Sequence, residues 1–181
     1  MKICPPYLSF ILYNPIRKAL TDRKGILDES GVTESSVVLE IGAGNGFITE
    51  AIAQRAKKVY ANELQPGMVK KLKKRMEKFG DKVDILLCDI ANCDIGEEFA
   101  DAGIMYYSFH EIGNQAGAVR NIGKAIKSGG TLSIYEPAME VDKAAMERTV
   151  KMFEGIGFKR EARRDGLVTR FAILRKTKQG G

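Results

Sequence analysis

Short apolar runs alternate along the chain with stretches in which apolar residues recur every three or four positions. Short apolar runs that are rich in β-branched side chains predict buried strands. Strands that alternate with helices predict an α/β fold, in which helices cover both faces of a mostly parallel sheet. The predicted strands are VVLEI at 37–41, KVYAN at 58–62, KVDILLC at 82–88, AGIMYYS at 102–108 and TLSIYE at 131–136.

Helical periodicity marks the segments between these strands. The glycine pair of SGG at 128–130 is predicted to cap one helix at its C-terminal end. Asp142 is predicted to be the N-cap of another helix. The helical patterns that support this interpretation lie within residues 7–20, 47–52, 67–79, 119–126 and 146–153.

The C-terminal part of the chain adds two strands. Residues 157–166 and 168–176 are predicted to form a closing hairpin. The resulting fold is Rossmann-like and doubly wound, with a mostly parallel seven-stranded sheet and an antiparallel C-terminal hairpin strand. One domain is predicted, with a helical N-terminal segment over 1–30, a core over 31–175 and a loose tail over 176–181. Ligands of such sheets bind beyond the carboxyl ends of the strands, where we expect the functional residues.

Length and composition are those of one globular domain. The 181 residues suffice for a full core, and 44% hydrophobic with 29% charged residues is an ordinary balance. The densest apolar stretch, YLSFILY at 7–13, is far shorter than the ~20 residues that span a bilayer. It also lacks the basic start and cleavage site of a signal peptide. The sequence therefore predicts a cytoplasmic protein without a transmembrane segment, and it leaves the oligomeric state open.

Cysteine and histidine are scarce. The three cysteines are Cys4, Cys88 and Cys93, and an odd, sparse set predicts free thiols rather than a disulfide framework. A soft-metal site built from the three is the less favoured alternative. The single histidine, His110, excludes a histidine-rich metal site. No metal is therefore predicted.

A net charge of +6 permits contact with nucleic acid but does not demonstrate it. Part of the excess lies in KKLKKRMEK at 70–78, where Met68, Leu72 and Met76 recur at helical spacing. Lysines on the other side of such a helix usually form a solvated face. Nucleic acid is therefore the less favoured partner.

The segment from Glu40 to Gly46 joins a predicted strand to a predicted helix, which is the context of a nucleotide-binding turn. A dinucleotide turn requires G-x-G-x-x-G, but the sixth position counted from Gly42 is Phe47. The lysine of a phosphate-binding loop is also missing. The carboxylate of Glu40 would repel a phosphate and attract an ammonium group. A tight connection without a ligand is the alternative for such a turn standing alone.

Acidic residues also end the next two predicted strands. Glu63 follows the glycines by about 20 residues, where an acid accepts hydrogen bonds from a ribose diol. Asp89 follows the third strand and is placed to accept from an adenine amine. Acids for an ammonium, a ribose and an adenine, without a phosphate-binding device, predict a positively charged adenosine derivative. The ligand that fits is S-adenosylmethionine.

This ordered set resembles the class I S-adenosylmethionine-dependent methyltransferases over about residues 30–175. LEIGAGNG resembles their first motif, ANEL the acidic end of their second strand, and CDI their third motif. GIMYYSFHEI resembles their fourth strand and the loop that faces the substrate. The resemblance implies methyltransferase activity with S-adenosylmethionine as cofactor. The implied cofactor-binding residues are Glu40, Gly42, Ala43, Gly44, Gly46, Glu63, Leu64, Asp89, Ile90 and Tyr106.

Two subfamilies share parts of the sequence. YNPIRKAL at 13–20 and SFHEI at 108–112 resemble the small-molecule methyltransferases of the ubiquinone/menaquinone-biosynthesis and arsenite type. That resemblance implies a small-molecule substrate and an N-terminal lid over 1–30. Residues 39–64 also resemble the ribosomal-RNA adenine dimethyltransferases, but YYSFHEI replaces their N-L/P-P-Y motif. RNA or protein methylation, and a cofactor-binding subunit without catalysis, are the alternatives.

His110 and Glu111 are the candidate catalytic residues. His110 lies just after the fourth strand on the cleft side, and an imidazole with an ordinary pKa near ~6.5 suits a general base. Glu111 is expected either to orient this ring or to act in its place. The alternative for His110 is a cap on the following helix. Tyr106 and Tyr107 are expected either to line an acceptor pocket or to pack in the core.

Overall fold

One mixed sheet organises the protein, whose computed structural model describes residues 21–177. Within these residues seven strands form the sheet, which confirms the predicted number, and they pair in the order β3-β2-β1-β4-β5-β7-β6. The predicted helix over 7–20, Cys4 and the end of the tail lie outside the described residues. The strands are β1 Val37–Ile41, β2 Lys58–Glu63, β3 Val83–Leu87, β4 Ala100–Tyr106, β5 Ile126–Pro137, β6 Phe158–Asp165 and β7 Thr169–Lys176.

Strand directions confirm the mostly parallel, doubly wound arrangement. Strands β1 to β5 are parallel to one another, and β7 is antiparallel to both of its neighbours, β5 and β6. From the central β1 the chain builds outward to β2 and β3 on one side, and then adds β4 and β5 on the other. This reversal opens a crevice at the carboxyl ends of β1 and β4, which is where such sheets bind ligands.

Helices cover both faces of the sheet because each contributes one apolar stripe. Helices α1 to α3 pack on one face around Val38, Ile52 and Leu72. Helices α4 and α5 pack on the other face around Ile122 and Phe153. None of the helices in the described part of the chain is long and apolar enough to cross a bilayer. The helices are α1 Arg23–Glu29, α2 Thr49–Arg55, α3 Pro66–Met76, α4 Gln115–Ala125 and α5 Lys143–Glu154, with 3₁₀ turns at Glu77–Lys82 and Phe109–Glu111.

Helix α3 carries the lysine run, and the expected solvated face is confirmed. Met68, Leu72 and Met76 are buried against the sheet, whereas Lys70 and Lys74 are exposed. The two sets lie on opposite sides of the helix because apolar residues recur at helical spacing. The run therefore has a structural explanation that requires no partner.

The prediction that SGG caps a helix is wrong. Helix α4 ends at Ala125, and Ser128 to Gly130 already belong to β5. The pairing of β5 with β4 is irregular here, passing from Ala100 opposite Ile126 to Ala102 opposite Thr131. Extra residues on one strand form a bulge, and glycines accommodate such bulges readily. The glycine pair therefore shapes a strand rather than ending a helix.

Asp142 begins α5 as predicted. Its side chain accepts a hydrogen bond of 2.6 Å from the backbone N–H of Ala145. The bond satisfies one of the four N–H groups that a helix leaves without an internal partner at its start.

We expect Asp142→Ala to lower the free energy of unfolding by about 1 kcal/mol, because the N–H of Ala145 loses its acceptor. For a chain of this size the melting temperature should fall by about 2–4 °C. Thermal unfolding followed by circular dichroism measures the change. Asp142→Asn is the matched control, since asparagine caps equally well. An equal loss in both variants would show that the cap is not the cause.

Candidate active site

A cavity of about 530 Å³ opens at the carboxyl ends of β1, β2 and β4. Its size lies within the range of ~300–1,000 Å³ that is usual for small-ligand sites. Eleven of the twelve residues predicted for cofactor binding and catalysis line this one cavity. They are Glu40, Gly42, Ala43, Gly44, Glu63, Leu64, Asp89, Ile90, Tyr106, His110 and Glu111.

Gly46 is the predicted residue that does not line the cavity. Its φ of +89° is left-handed, and a Cβ there would lie 2.8 Å from Cδ1 of Leu72 and 3.3 Å from Cε of Met76. This glycine lets the turn pack closely against α3. The structure therefore places Gly46 behind the cavity wall rather than at its surface.

The glycine turn is tied to two neighbouring strands. The backbone N–H groups of Gly42 and Ala43 donate to the carbonyl of Asn62 at 3.0 and 2.9 Å. On the other side, Ser108 Oγ donates to the carbonyl of Ile41 at 2.7 Å. A Cβ at Gly42 would lie 2.4 Å from that of Ser108, so only glycine fits here. Sequence reasoning identified the glycines but not the contacts by which Asn62 and Ser108 hold the turn in place.

Glu63, predicted to hold a ribose, also shapes the turn. Its buried carboxylate accepts from the backbone N–H of Gly44 at 2.8 Å and of Gln65 at 2.7 Å. Each carboxylate oxygen can accept more than one hydrogen bond, so both remain able to receive a ligand hydroxyl. The same side chain therefore connects the glycine turn to the cavity wall.

We expect Glu63→Ala to weaken binding of S-adenosylmethionine by tenfold or more, because two backbone donors lose their acceptor. A hydrogen bond to a charged group contributes about 1.5–3 kcal/mol. Glu63→Gln keeps one acceptor oxygen and should cause a smaller loss. Isothermal titration calorimetry measures the affinities, with the exposed Glu34→Ala as control. Unchanged affinity in Glu63→Ala would remove this residue from the site.

Asp89 organises the loop that follows β3. Its carboxylate accepts from the backbone N–H of Ala91 at 3.0 Å and from Asn92 Nδ2 at 2.7 Å. Asn121 on α4 holds the same loop by donating to the carbonyls of Ile90 at 2.9 Å and Cys93 at 3.0 Å. The loop is therefore fixed before any ligand arrives.

Cys88 and Cys93 form a disulfide across this loop, so the prediction of free thiols at these positions is wrong. The loop brings their Cα atoms to 6.2 Å, a separation that a disulfide can span. The odd count of three cysteines obscured this pair in the sequence. The third cysteine, Cys4, lies outside the described residues. Among residues 21–177, no three histidine, cysteine or acidic side chains are grouped to hold a metal ion.

Glu40 brings an unsatisfied carboxylate to the cavity. It is 2% exposed, and its Oε2 has no hydrogen-bond partner among the described residues. Burial outweighs the lowering effect of Thr49 and, together with the nearby Glu63, raises the pKa of Glu40 from its ordinary 4.5 to about 8. A buried carboxylate of this kind is stabilised by a cation, and an ammonium group that enters the cavity would supply both charge and donors.

His110 lies on a 3₁₀ turn and contacts a carboxylate that the sequence analysis missed. Its Nδ1 is bonded to Glu136 Oε2, and its backbone N–H donates to Glu136 Oε1 at 3.2 Å. The orienting acid is therefore Glu136, at the end of β5, rather than Glu111. Its place at the carboxyl end of a strand, in YEP, is the signal that would have found it. The cap of α4 is Asn114, which accepts from Gly117, so His110 does not cap that helix.

Tyr106 and Tyr107 form an aromatic wall after β4. Both rings line the cavity and stack on each other, with centroids 4.4 Å apart and planes 17° apart. Tyr107 has a φ of +58°, which is uncommon for a bulky residue, and its N–H donates to the carbonyl of Tyr135 at 2.8 Å. Such backbone conformations are concentrated at functional sites.

A family profile described as a methyltransferase domain matches residues 39–134, which is more than half of the chain. The chain therefore belongs to the methyltransferase domain family. S-adenosylmethionine is the cofactor that membership of this family implies. The cavity fits it, because Glu40 offers a buried carboxylate oxygen without a partner among the described residues to an ammonium, and the glycine turn leaves space for a ligand at Gly44.

Individual relatives agree with this assignment. An uncharacterized methyltransferase from Geobacillus sp. strain WCH70 is 28% identical over 144 residues, 78% of this chain and 66% of that protein. Ribosomal RNA small subunit methyltransferase A from Leuconostoc citreum is 38% identical over 76 residues, 42% of this chain. The chain spans only 25% of that enzyme and just under two thirds of the Geobacillus protein. These relatives therefore support the domain and do not identify an acceptor.

A solved structure shares the fold. The S-adenosylmethionine-dependent methyltransferase from Aquifex aeolicus superposes with a TM-score of 0.83 at 22% identity. The alignment covers 97% of this chain and all of that one. At this identity the similarity establishes the architecture alone.

Proposed function

We propose that the protein transfers a methyl group from S-adenosylmethionine to a small-molecule acceptor by in-line displacement. One observation carries the proposal: the glycine turn with Glu40 and the loop with His110 line the same cavity. A donor held at one end and an acceptor held at the other would be aligned for direct transfer. Alignment and exclusion of water are the main tasks of an enzyme in such a reaction.

Three acidic residues that line the cavity have proposed roles in binding the cofactor. Glu40 would pair with the ammonium of the cofactor, and Glu63 would accept from its ribose hydroxyls. Asp89 would accept from the adenine amine, with Ile90 and Leu64 packed against the ring. When bound, the cofactor supplies a methyl group made electrophilic by positively charged sulfur. The chain contributes the orientation of the two reactants.

The position of the positive charge favours a small acceptor over RNA. Helix α3 begins at Pro66, beside the cavity-lining Gln65, and runs back along the sheet, so the later lysines of the run lie away from the cavity end. Lys73, for example, lies beside Val83 and Asp84 at the start of β3, whereas the cavity lies at the carboxyl ends of the strands. A basic surface that guides RNA into the site would lie at the mouth of the cavity instead.

The N-terminal segment over residues 1–30 is proposed to include a lid, although its described helix α1 packs on the sheet through Ile26 and Leu27. The described chain enters the fold beside the cavity, where Arg23 Nη1 donates to the carbonyl of Phe47 at 3.1 Å and pairs with Glu50 at 3.3 Å. Phe47 lines the cavity. Arg23, at the start of α1, is therefore held beside the cavity wall.

Methyl-labelled S-adenosylmethionine incubated with fractionated cell extract tests the proposal. Label in the small-molecule fraction is the expected result. Label in RNA or protein would replace the proposed acceptor with one of those classes. Binding of the cofactor without any labelled product would indicate a subunit without catalysis.

A charge-reversal variant distinguishes a small-molecule acceptor from an RNA acceptor. Lys70→Glu, Lys73→Glu and Lys74→Glu together should leave labelling of the small-molecule fraction within about twofold of wild type. RNA binding that depends on these lysines would weaken, because each phosphate contact contributes to a salt-dependent affinity. Loss of labelling in the triple variant would contradict a small-molecule acceptor.

A further inference from the structure

We propose that Glu136 and His110 act together as a general base, and that the methylated atom is the oxygen of a weakly acidic hydroxyl group. This inference rests on the proposed function and specifies its substrate class. His110 is the residue that would touch the acceptor. Glu136 acts through His110 and is a positioning residue.

Both carboxylate oxygens of Glu136 form hydrogen bonds with His110. Oε1 accepts from the backbone N–H of His110 at 3.2 Å, and Oε2 is bonded to Nδ1 of the ring. The carboxylate is 1% exposed and stands at the end of β5. A buried carboxylate bonded to the backbone and the ring of one residue fixes where that ring lies.

The contact also fixes which nitrogen is basic. Glu136 accepts the proton on Nδ1, so the neutral ring carries its lone pair on Nε2. Nε2 lies 3.4 Å from Oε2 of Glu140, whose side chain is 66% exposed, and both residues line the cavity. The basic nitrogen is therefore on the side from which an acceptor would approach.

Carboxylates surround the ring from several elements. Burial lowers the pKa of His110, but the hydrogen bond and charge of Glu136, with the charges of Glu140 and Glu111, outweigh it and raise the pKa above its ordinary value. Arg170 on β7 stands opposite Glu136 in the strand register, and its Nη1 donates to the carbonyl of Gly166. The neutral ring is therefore a stronger base than a free imidazole, and this form predominates only above the raised pKa.

The chemistry of methyl transfer explains why a base implies a hydroxyl group. An amine attacks through its free lone pair, and a thiol with a pKa of about 8–9 is already partly ionised at neutral pH. A phenol with a pKa near ~10 gains most from a base that removes its proton as it attacks. The oxygen forms a bond to the methyl carbon as its proton passes to Nε2. The carbon–sulfur bond breaks, and its electron pair leaves with sulfur as a neutral thioether.

NMR titration of the single imidazole tests the pair without any acceptor. Because the chain has only one histidine, its signals need no assignment. Glu136→Gln should lower the proton affinity of the ring by tenfold or more, and ¹⁵N shifts of wild type should report the proton on Nδ1. Glu140→Gln is the control and should have a smaller effect, because Glu140 is mostly exposed. An unchanged midpoint in Glu136→Gln would overturn the pair.

The reaction itself gives the second test. The labelled product of wild type should contain an O–CH₃ group by mass spectrometry. Glu136→Gln should reduce kcat by about 10- to 100-fold with cofactor affinity unchanged, and its pH–rate profile should shift to lower pH together with the NMR midpoint. A product methylated on nitrogen, sulfur or carbon would overturn the hydroxyl acceptor while leaving methyl transfer intact. Absence of any product, with cofactor binding preserved, would instead refute the proposed function.

Discussion

Gly42→Ala is expected to destabilise the fold and to weaken cofactor binding by at least tenfold. Gly42 has a φ of +72°, and an added Cβ would lie 2.4 Å from the Cβ of Ser108. A left-handed backbone costs an alanine about 1–2 kcal/mol, and crowding in a packed region adds about 1–3 kcal/mol. Chemical denaturation measures the stability, and calorimetry measures the affinity for S-adenosylmethionine.

Gly129→Ala is the matched control for this variant. Gly129 also has a left-handed φ, of +82°, but a Cβ there meets no atom within 4 Å. This variant should show the backbone cost without the steric clash, and it should bind the cofactor normally because Gly129 is remote from the cavity. Equal losses of stability and of binding in the two variants would show that the contact with Ser108 is unimportant.

Glu40→Gln is expected to weaken binding of S-adenosylmethionine by about 10- to 100-fold. Its amide cannot form the charged hydrogen bond that the carboxylate of Glu40 offers to an ammonium, a contribution of about 1.5–3 kcal/mol. Side-chain size is retained, so the cradle should keep its shape. Calorimetry in buffers of different ionisation enthalpy should show proton release when wild type binds the cofactor below pH 8, and none with the variant.

The same residue predicts how stability depends on pH. In the folded protein without cofactor the pKa of Glu40 is about 8, well above its ordinary 4.5. Between these values the folded state binds more protons than the unfolded state, so stability falls as pH rises from about 4.5 to about 8. The contribution of this group is about 1.4 kcal/mol per pH unit. Glu40→Gln should lack this slope, and an identical pH dependence in both proteins would contradict the role assigned to Glu40.

Much of the fold, and the residues proposed to bind the cofactor, could be predicted because the sequence patterns that indicate them are local. VVLEI, KVYAN and TLSIYE are short apolar runs, and each lies within a strand of the structure. Parallel strands place their carboxyl ends at one edge of the sheet, so Glu40, Glu63 and Asp89 were expected to meet although they are far apart in the chain. The structure brings all three to one cavity.

The acceptor side was harder to predict because it depends on contacts between distant residues. The bond between His110 and Glu136 joins positions 26 residues apart, and nothing near His110 in sequence indicates it. Glu111 is next to His110 in sequence, but the carboxylate that contacts the His110 ring is Glu136 at the end of β5. The disulfide between Cys88 and Cys93 depends on a loop closed by Asp89 and Asn121. Gly46 lies in the motif, yet it packs against α3 because the turn curves away from the cavity there.

Ser108 is the junction at which the two sides of the site meet. Its hydroxyl holds β1 at Ile41, and its Cβ occupies the space beside Gly42. His110 to Ile112, with Pro137 and Glu140, line the cavity beyond this point. Under the proposed function, substitutions at these positions would change the acceptor while the residues proposed to bind the cofactor stay the same. A larger side chain at Ser108 would differ from such changes, because it would disturb the glycine turn as well as the loop that carries His110.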